Sequence, residues 1–483
     1  MDLRKVAARG LAWTTLESAA LSGLSFLTLL VLSHYLTPKE FGVAAIALGV
    51  VQLLNVPVEV LFHDSLVRSD TATESHFHSA FSFTLIMSVV LCGACWLFSG
   101  WFARRMDMPE LAVVLPWMSI SLLGMAMGSI LMADQRRKLQ FRALALRSLI
   151  GRSIAAAVAI TMAVRGFGVW ALVAQQVLLV SLGSMTLWLA SSWRPKLRFQ
   201  AADVRDLLGF GLHSTLTTFL GLATQRVFLL LVGGYLGSYI VGCFSLVFRA
   251  TDMLRDILSG AVSQLALPLF SRVQSDSVRL AGVYTQALRL TFFIACPVFV
   301  LLACCANDVV RLAFGEKWLE IPVYLSISAI LALQFFARLY SGPMFRAVGR
   351  AELPNVALGI QIAYLVVGMT VFGKYGAAYA MILWVSRVFV TTPVDVWLLQ
   401  RATGMRVAQQ FAGTLEPLIA SIAMAAVVIL IGNWQLQGLP VVSRLSIEIV
   451  IAVACYLCCM LLMERALTRQ LFSFLRQAST LRA

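Results

Sequence analysis

About fourteen apolar stretches run along this chain, each close to the roughly 20 residues that a helix needs to cross a bilayer. Residues 11–33 open the series and residues 446–463 close it. The segments between them are short, and none is long enough to fold as a soluble domain. Of 483 residues, 60% are hydrophobic and 13% charged, with a mean hydropathy of +0.86. Soluble domains hold about 45–50% apolar and about 25% charged residues, so a soluble fold would leave much apolar surface in water. The chain therefore reads as an all-α polytopic membrane protein, because a helix satisfies its own backbone in lipid. Residues 11–33 are too long for the apolar part of a signal peptide and read as a span that is retained.

The net charge of +15 would suggest nucleic acid in a soluble protein. Here the charges sit in short connections, where they report topology. Lys and Arg stay on the cytoplasmic side of a membrane protein. With Arg4, Lys5 and Arg9 inside, alternate connections hold about 22 basic residues inside and about 7 outside. Arg136-Arg137-Lys138 with Arg142, and Arg194-Pro195-Lys196-Leu197-Arg198, are the clearest inside loops. Arg465, Arg469, Arg476 and Arg482 put the tail inside as well, whereas Arg104 and Arg105 fall outside. Both termini are thus expected in the cytoplasm, with an even number of spans.

The chain repeats a short pattern. Tyr35-Leu36 followed by Gly42 marks the junction of the first two spans, and Tyr235-Leu236 followed by Gly242 marks that of the seventh and eighth. An offset of six spans is even, so the copies enter the membrane in the same sense, as parallel repeats about an axis along the membrane normal. This predicts two parallel six-helix lobes around a central cavity, 1–190 and 207–400. A basic cytoplasmic linker, 191–206, joins them, and 401–483 forms an accessory helix pair and tail.

Ionisable residues inside spans are costly and usually line a cavity or meet a partner. Arginine dominates them. A proton relay would favour carboxylates and His, whereas guanidinium forks suit an anion and phosphate in particular. In the eighth span Arg249, Asp252, Arg255 and Asp256 share one helical face. Arg255 and Asp256 read as a self-neutralising ladder, while Arg249 sits near the midplane and is the leading candidate for substrate. Arg387 is equally central in the twelfth span, and Arg226 and Arg338 lie off centre. Asp252, Glu17 and Glu59 are candidates for ion pairing or coupling. Arg147 and Arg152, near the inner end of the fifth span, read as snorkelling to lipid head groups.

Other motifs carry no chemistry. Cys92/Cys95 and Cys455/Cys458 read C-x-x-C, but each pair lies in an apolar span without His or carboxylate alongside, which is packing. His76 and His78 read as a solvated loop. No phosphate-cradling G-x-x-x-x-G-K-[ST] occurs. No metal and no cofactor is expected. Gly124 and Gly128 form a close-packing G-x-x-x-G, and Pro57, Pro116, Pro297, Pro343 and Pro393 lie within spans.

Several landmarks fall in a characteristic order on this span pattern. They are Gly10-Leu11-Ala12-Trp13, Tyr35-Leu36-Thr37-Pro38-Lys39-Glu40-Phe41-Gly42, Met132-Ala133-Asp134-Gln135-Arg136 through Phe141, and Gly166-Phe167-Gly168-Val169-Trp170-Ala171-Leu172-Val173. Trp193-Arg194-Pro195 and Phe314-Gly315-Glu316-Lys317-Trp318 follow. With them the chain resembles the polysaccharide transporter branch of the multidrug/oligosaccharidyl-lipid/polysaccharide exporter superfamily, and is most similar to its colanic-acid and exopolysaccharide exporters. The resemblance implies two lobes around a cationic cavity and a peripheral helix pair. It implies a flippase of the bacterial inner membrane that moves an undecaprenyl-diphosphate-linked oligosaccharide between leaflets by alternating access, without covalent chemistry.

Phe248-Arg249, with Leu267-Pro268-Leu269-Phe270-Ser271-Arg272 after it, carries the family's cavity arginine onto Arg249. One position departs, because many relatives have Asp where this chain has Phe228. Implied partners are the lipid-linked substrate and membrane lipids, with a polysaccharide polymerase and a chain-length regulator beside them, and no nucleic acid. Two rivals are weighed against this. A multidrug or cation antiporter on the same fold would want anionic cleft residues, and a sugar polymerase or ligase would want a large external loop.

Overall fold

The structure, a computed structural model, describes residues 21–69, 71–138, 140–273, 276–350, 352–434 and 440–463. Glu17 and the tail arginines lie outside the described residues. Regular structure within them is helical. The chain runs through α1 (Leu21–Tyr35), α2 (Pro38–Val60), α3 (His63–Arg68), α4 (Glu74–Arg105), α5 (Leu111–Arg137), α6 (Phe141–Val164) and α7 (Val169–Ala190). It continues through α8 (Ala201–Val273), α9 (Ser277–Cys304), α10 (Ala306–Ala313), α11 (Pro322–Arg338) and α12 (Ser341–Ala347). The last helices are α13 (Leu353–Phe372), α14 (Ala377–Thr403), α15 (Val407–Gln410), α16 (Leu415–Trp434) and α17 (Val441–Met463).

Twelve described helices are long and apolar enough to cross a membrane. One of them covers 60 residues, Ala201–Gly260, and is broken at Gly237, whose φ of 81° and ψ of 176° no helix adopts. It therefore supplies two crossings. α1 is the described end of the first apolar stretch, so the expected count of about fourteen spans agrees with these helices.

Two compact units divide the chain. One holds the chain up to Ala250 together with Asn355–Thr391, and the other holds Thr251–Pro354 and the chain from Thr392.

In the first unit, Thr37 and Glu40 form a capping box that starts α2, with Pro38 at its first turn where a missing N–H costs nothing. α5 packs on α4, α7 and α2. The Gly124/Gly128 stripe serves the α5–α7 contact: a Cβ at Gly124 would press on Ser181, and the Ser184 hydroxyl donates to the Gly124 carbonyl at 2.5 Å.

His76 and His78 are not in a loop. α4 starts at Glu74, because Thr73 and His76 cap it. The buried His78 accepts the Lys196 backbone N–H at 3.1 Å and stacks on Trp193. Ser75 and Ser79 donate to the Asp203 carboxylate at 2.6 and 2.7 Å, which anchors the chain entering α8.

In the second unit, Tyr284, Leu288, Phe292 and Phe299 of α9 pack with Phe336 of α11, Tyr340 and Leu399 around a buried core. α9 runs from Ser277 to Cys304. Asp276 caps it by accepting two backbone N–H groups, and the apolar face of its first turns joins the core through Leu280 and Tyr284. α16 and α17 pack on each other and on α9. Arg444 of α17 bridges Asp308 at 3.0 Å and Glu448 at 3.1 Å, while Cys305 donates to Glu448.

Candidate functional site

The first unit brings together three of the arginines singled out in the sequence. Arg226 is carried by the first half of α8, Arg249 by its second half and Arg387 by α14. An aromatic cluster joins the three segments. Trp384 lies 4.7 Å from both Phe228 and Phe248, and Phe228 stacks on Phe244 at 6.1 Å. All four rings are buried. Arg387 covers the Trp384 face with its guanidinium 3.3 Å from the ring centroid, and also donates to the Trp384 carbonyl. A cation over Trp is attracted by the ring quadrupole, which helps to hold the guanidinium in place.

Arg249 follows Phe248 directly and feels the like charge of Arg226. Arg226 passes Gly49 of α2, whose missing side chain leaves room for its stem: a Cβ there would lie 3.8 Å from the Arg226 Cδ.

Phe228 stands where the family resemblance implies an Asp, and its surroundings are aromatic. Its ring is fully buried between Phe244 and Trp384. A carboxylate at this position would lose water and the ring packing on both neighbours, so the aromatic cluster takes its place.

A polar cavity of about 410 Å³ lies along the same helices. α2 contributes Gln52, Asn55 and Glu59, α6 contributes Arg147 and Arg152, and α7 contributes Gln176. Leu222 of α8 closes the side toward Arg226, one turn further along that helix.

Arg147 donates to the Met132 thioether at 3.0 Å, and Arg152 donates to the Ser25 hydroxyl at 2.8 Å. The Gln52 and Asn55 carbonyl oxygens and the Arg152 Nε are buried without a hydrogen-bond partner. Arg147 and Arg152 therefore line an interior cavity, where the sequence reading had them snorkelling. Hydropathy gives the depth of a residue in a span but not the face it occupies. Gln52, Asn55 and Gln176 were not singled out at all. The signal for the α2 residues was there, since Gln52, Asn55 and Glu59 fall at i, i+3 and i+7 on one face of an otherwise apolar span.

The other candidates are placed apart from this group. Arg338 belongs to the second unit, where its Nε lies 3.7 Å from the Asp395 carboxylate. Asp252 also belongs there and pairs with Arg255 at 2.9 Å. Arg255 bridges on to Asp256 at 3.6 Å and covers the Phe335 ring at 4.4 Å, so the expected self-neutralising ladder is present. Glu59 faces the cavity and makes no ion pair among the described residues. No group of three or more potential metal ligands occurs among the described residues.

Residues 31–322 match the family described as polysaccharide biosynthesis protein. The succinoglycan biosynthesis transport protein ExoT of Rhizobium meliloti is 25% identical over 98% of this chain and 96% of its own length. The lipopolysaccharide biosynthesis protein WzxC of Escherichia coli is 21% identical over 79% of each chain. Among solved structures, the lipid II flippase MurJ in an inward closed conformation superposes with a TM-score of 0.77 at 14% identity, covering 94% of this chain and 98% of its own. An inward-facing multidrug resistance transporter of the MATE family gives 0.62 at 15% identity over 81% of this chain and 94% of its own.

Proposed function

The chain belongs to the polysaccharide biosynthesis protein family, and from that premise we propose that it is a flippase for an undecaprenyl-diphosphate-linked oligosaccharide. It carries the repeat unit from the inner to the outer leaflet of the bacterial cytoplasmic membrane, for surface or exported polysaccharide. The fold is shared with a lipid II flippase and with a multidrug transporter, so the fold does not choose the substrate. The site does. The observation that carries the reading is the gathering of Arg226, Arg249 and Arg387 around one buried aromatic cluster. Fixed guanidiniums favour a diphosphate, through short charge-assisted hydrogen bonds in matching planar geometry. A drug cation would want the opposite sign.

In this reading Arg249 takes the diphosphate, with Arg226 and Arg387 beside it. The moving parts are the lobes 1–190 and 207–400, joined by the basic linker 191–206, with 401–483 as the accessory pair and tail. They rock about the bound head group while the lipid tail stays in the bilayer. The head group loses water on entry, and the arginine hydrogen bonds offset part of that cost. No bond is made or broken. A polymerase and a chain-length regulator are the protein partners that would use the delivered unit.

Two experiments test this. In cells lacking the chromosomal copy, Arg249→Ala should abolish surface polysaccharide and leave lipid-linked repeat units in the inner leaflet, with the protein still inserted. Full export by that variant would overturn the assignment. Reporter fusions after Lys138 and after Arg482 should both report the cytoplasm, in line with the basic residues of those segments. A periplasmic signal from the second would exclude the even-span topology.

A further inference from the structure

The segment that joins the lobes of the proposed transporter is strapped to one face of α4. Ser75, His78, Ser79 and Ser82 fall at i, i+3, i+4 and i+7, so they share a face of the first turns of that helix. Residues 193–200 form neither helix nor strand, and they meet this face with backbone groups at every second position. The Lys196 N–H donates to His78 Nδ1 at 3.1 Å, the Arg198 carbonyl accepts from Ser82 Oγ at 2.9 Å, and the Gln200 N–H donates to Ser79 Oγ at 3.1 Å. Trp193 stacks on the His78 ring, with centroids 5.4 Å and planes 15° apart. At the other end of the strap, Asp203 accepts from Ser75 and Ser79.

Of the groups that bind the backbone of the strap, only His78 titrates near neutral pH. A backbone N–H can only donate, so the Nδ1 that receives Lys196 carries no proton and the ring is neutral. A second proton would set N–H against N–H, and the buried ring would become a cation. Lys196 and Arg198 of the strap repel that cation, while Glu74, one turn back on α4, attracts it. Arg137 of α5 lies over Phe77, the neighbour of His78, and Arg194 lies over Trp188 of α7. His76, on the other side of Phe77, responds in the opposite sense. Its Nδ1 faces the Thr73 hydroxyl, and its Nε2 lies 4.0 Å from Asp203 and 3.8 Å from Asp206 of α8. A proton on His76 strengthens those two ion pairs. Acid therefore frees the 193–196 end of the strap and tightens the Asp203 end.

We propose that His78 is a proton-released catch on the strap: neutral, it holds residues 193–196 on α4, and protonated, it lets them go. The hold is present at high pH and is lost as pH falls through the titration of His78. The strap leads into α8, which carries Arg226 and Arg249. The catch thus sets how firmly the start of α8 is tied to α4. Acid in the compartment that bathes the strap, the cytoplasm in the flippase reading, then slows transport. Release itself does not depend on what is transported.

The purified protein, in nanodiscs, is followed by hydrogen exchange resolved to single amides, each rate divided by the intrinsic rate at the same pH. From about pH 8 to about pH 5.5, the range over which histidine titrates, protection of the Lys196 amide should fall at least about fivefold, the worth of one neutral hydrogen bond. The Gln200 amide, held by a hydroxyl that does not titrate, should keep its protection and reports that the fold is intact. His78→Asn keeps a carbonyl acceptor and has no proton to gain, so Lys196 should stay protected at both ends of the range. His78→Phe keeps the ring stack and loses the acceptor, so Lys196 should be open throughout. His76→Asn should leave the response of Lys196 in place. In cells, a permeant weak acid that lowers cytoplasmic pH should reduce surface polysaccharide several-fold more in wild type than in His78→Asn.

Equal protection of Lys196 across the range overturns the catch. So does an equal loss in His78→Asn, which would place the titrating group elsewhere. A response that disappears in His76→Asn overturns it too, by assigning the effect to the Asp203 end. Release that follows His78 while wild type and His78→Asn export alike under acid refutes the control of transport. Release that follows His78 in a protein that exports no polysaccharide at all refutes the flippase reading and leaves the catch standing.

Discussion

Gly42 and Gly242 meet where α2 crosses the second half of α8, and the contact is reciprocal. A Cβ on Gly42 would strike the Ser238 carbonyl oxygen, and a Cβ on Gly242 would strike that of Pro38. Residues 38 and 42 thus meet 242 and 238, as residues do across a two-fold axis. The polar cavity begins at Gln52, about 15 Å further along α2. The crossing is therefore shut at one end of these helices and the cavity lies toward the other, the asymmetry that one state of an alternating-access transporter has.

The first prediction follows from that contact. Alanine in place of glycine within a helix ordinarily stabilises by about 1 kcal/mol. Gly42→Ala and Gly242→Ala should do the opposite, because the added methyl meets a backbone carbonyl that has no side-chain freedom to yield. Each should lower the thermal stability of the purified protein and reduce export several-fold, about the effect of 1–3 kcal/mol of overpacking. Gly93→Ala is the control, since nothing lies within 4 Å of a Cβ there. Export at wild-type level from both crossing variants would show that the close approach is not needed.

The spans were legible because each is a long apolar run. The site was half legible. Arg249 and Arg387 stood out by depth alone, but their connection did not, because it runs through Phe228, Phe248 and Trp384, and apolar residues in an apolar span carry no signal. The cavity was missed for a related reason. Arg147 and Arg152 sit near a span end, where hydropathy fits lipid head groups as well as an interior wall.

A second prediction concerns Arg338, whose side chain is 9% exposed and sits beside Asp395. Removing one partner of a buried pair leaves an uncompensated charge and costs about 3–5 kcal/mol, whereas replacing both by apolar residues is often neutral. Arg338→Leu should lower the melting temperature sharply, and Arg338→Leu/Asp395→Leu should restore it. Export by the stable double variant then decides the role. Recovered export assigns Arg338 to holding Asp395, and a folded but inactive double variant assigns it to substrate.

The third prediction tests the aromatic cluster. Phe228→Asp introduces the residue type that the family resemblance implies at this position, but here it would bury a carboxylate against Phe244 and Trp384. It removes a fully buried ring, a loss of about 3–5 kcal/mol for Phe, and adds the desolvation of a charge. The variant should insert poorly or melt at lower temperature, with export reduced accordingly, and Phe228→Leu should lose much less. Normal stability and export in Phe228→Asp would show that the cluster tolerates the family's carboxylate.

The last prediction asks whether Arg249 serves substrate or the helix. If Arg249 served to neutralise Asp252, then Arg249→Ala would orphan that carboxylate, and the double variant Arg249→Ala/Asp252→Ala would export better than the single one. The structure argues for the other outcome, because Asp252 already pairs with Arg255 at 2.9 Å. Removing Arg249 then leaves no orphan for the second substitution to relieve. The double variant should be as inactive as the single one, and both should insert and melt like wild type. Arg249→Lys should recover part of the export, since an ammonium keeps the charge but loses the planar fork that matches a diphosphate. Export is read as surface polysaccharide per inserted protein, so a folding defect registers separately. Rescue by the Asp252 substitution would assign Arg249 to the helix and remove the central element of the proposed diphosphate site.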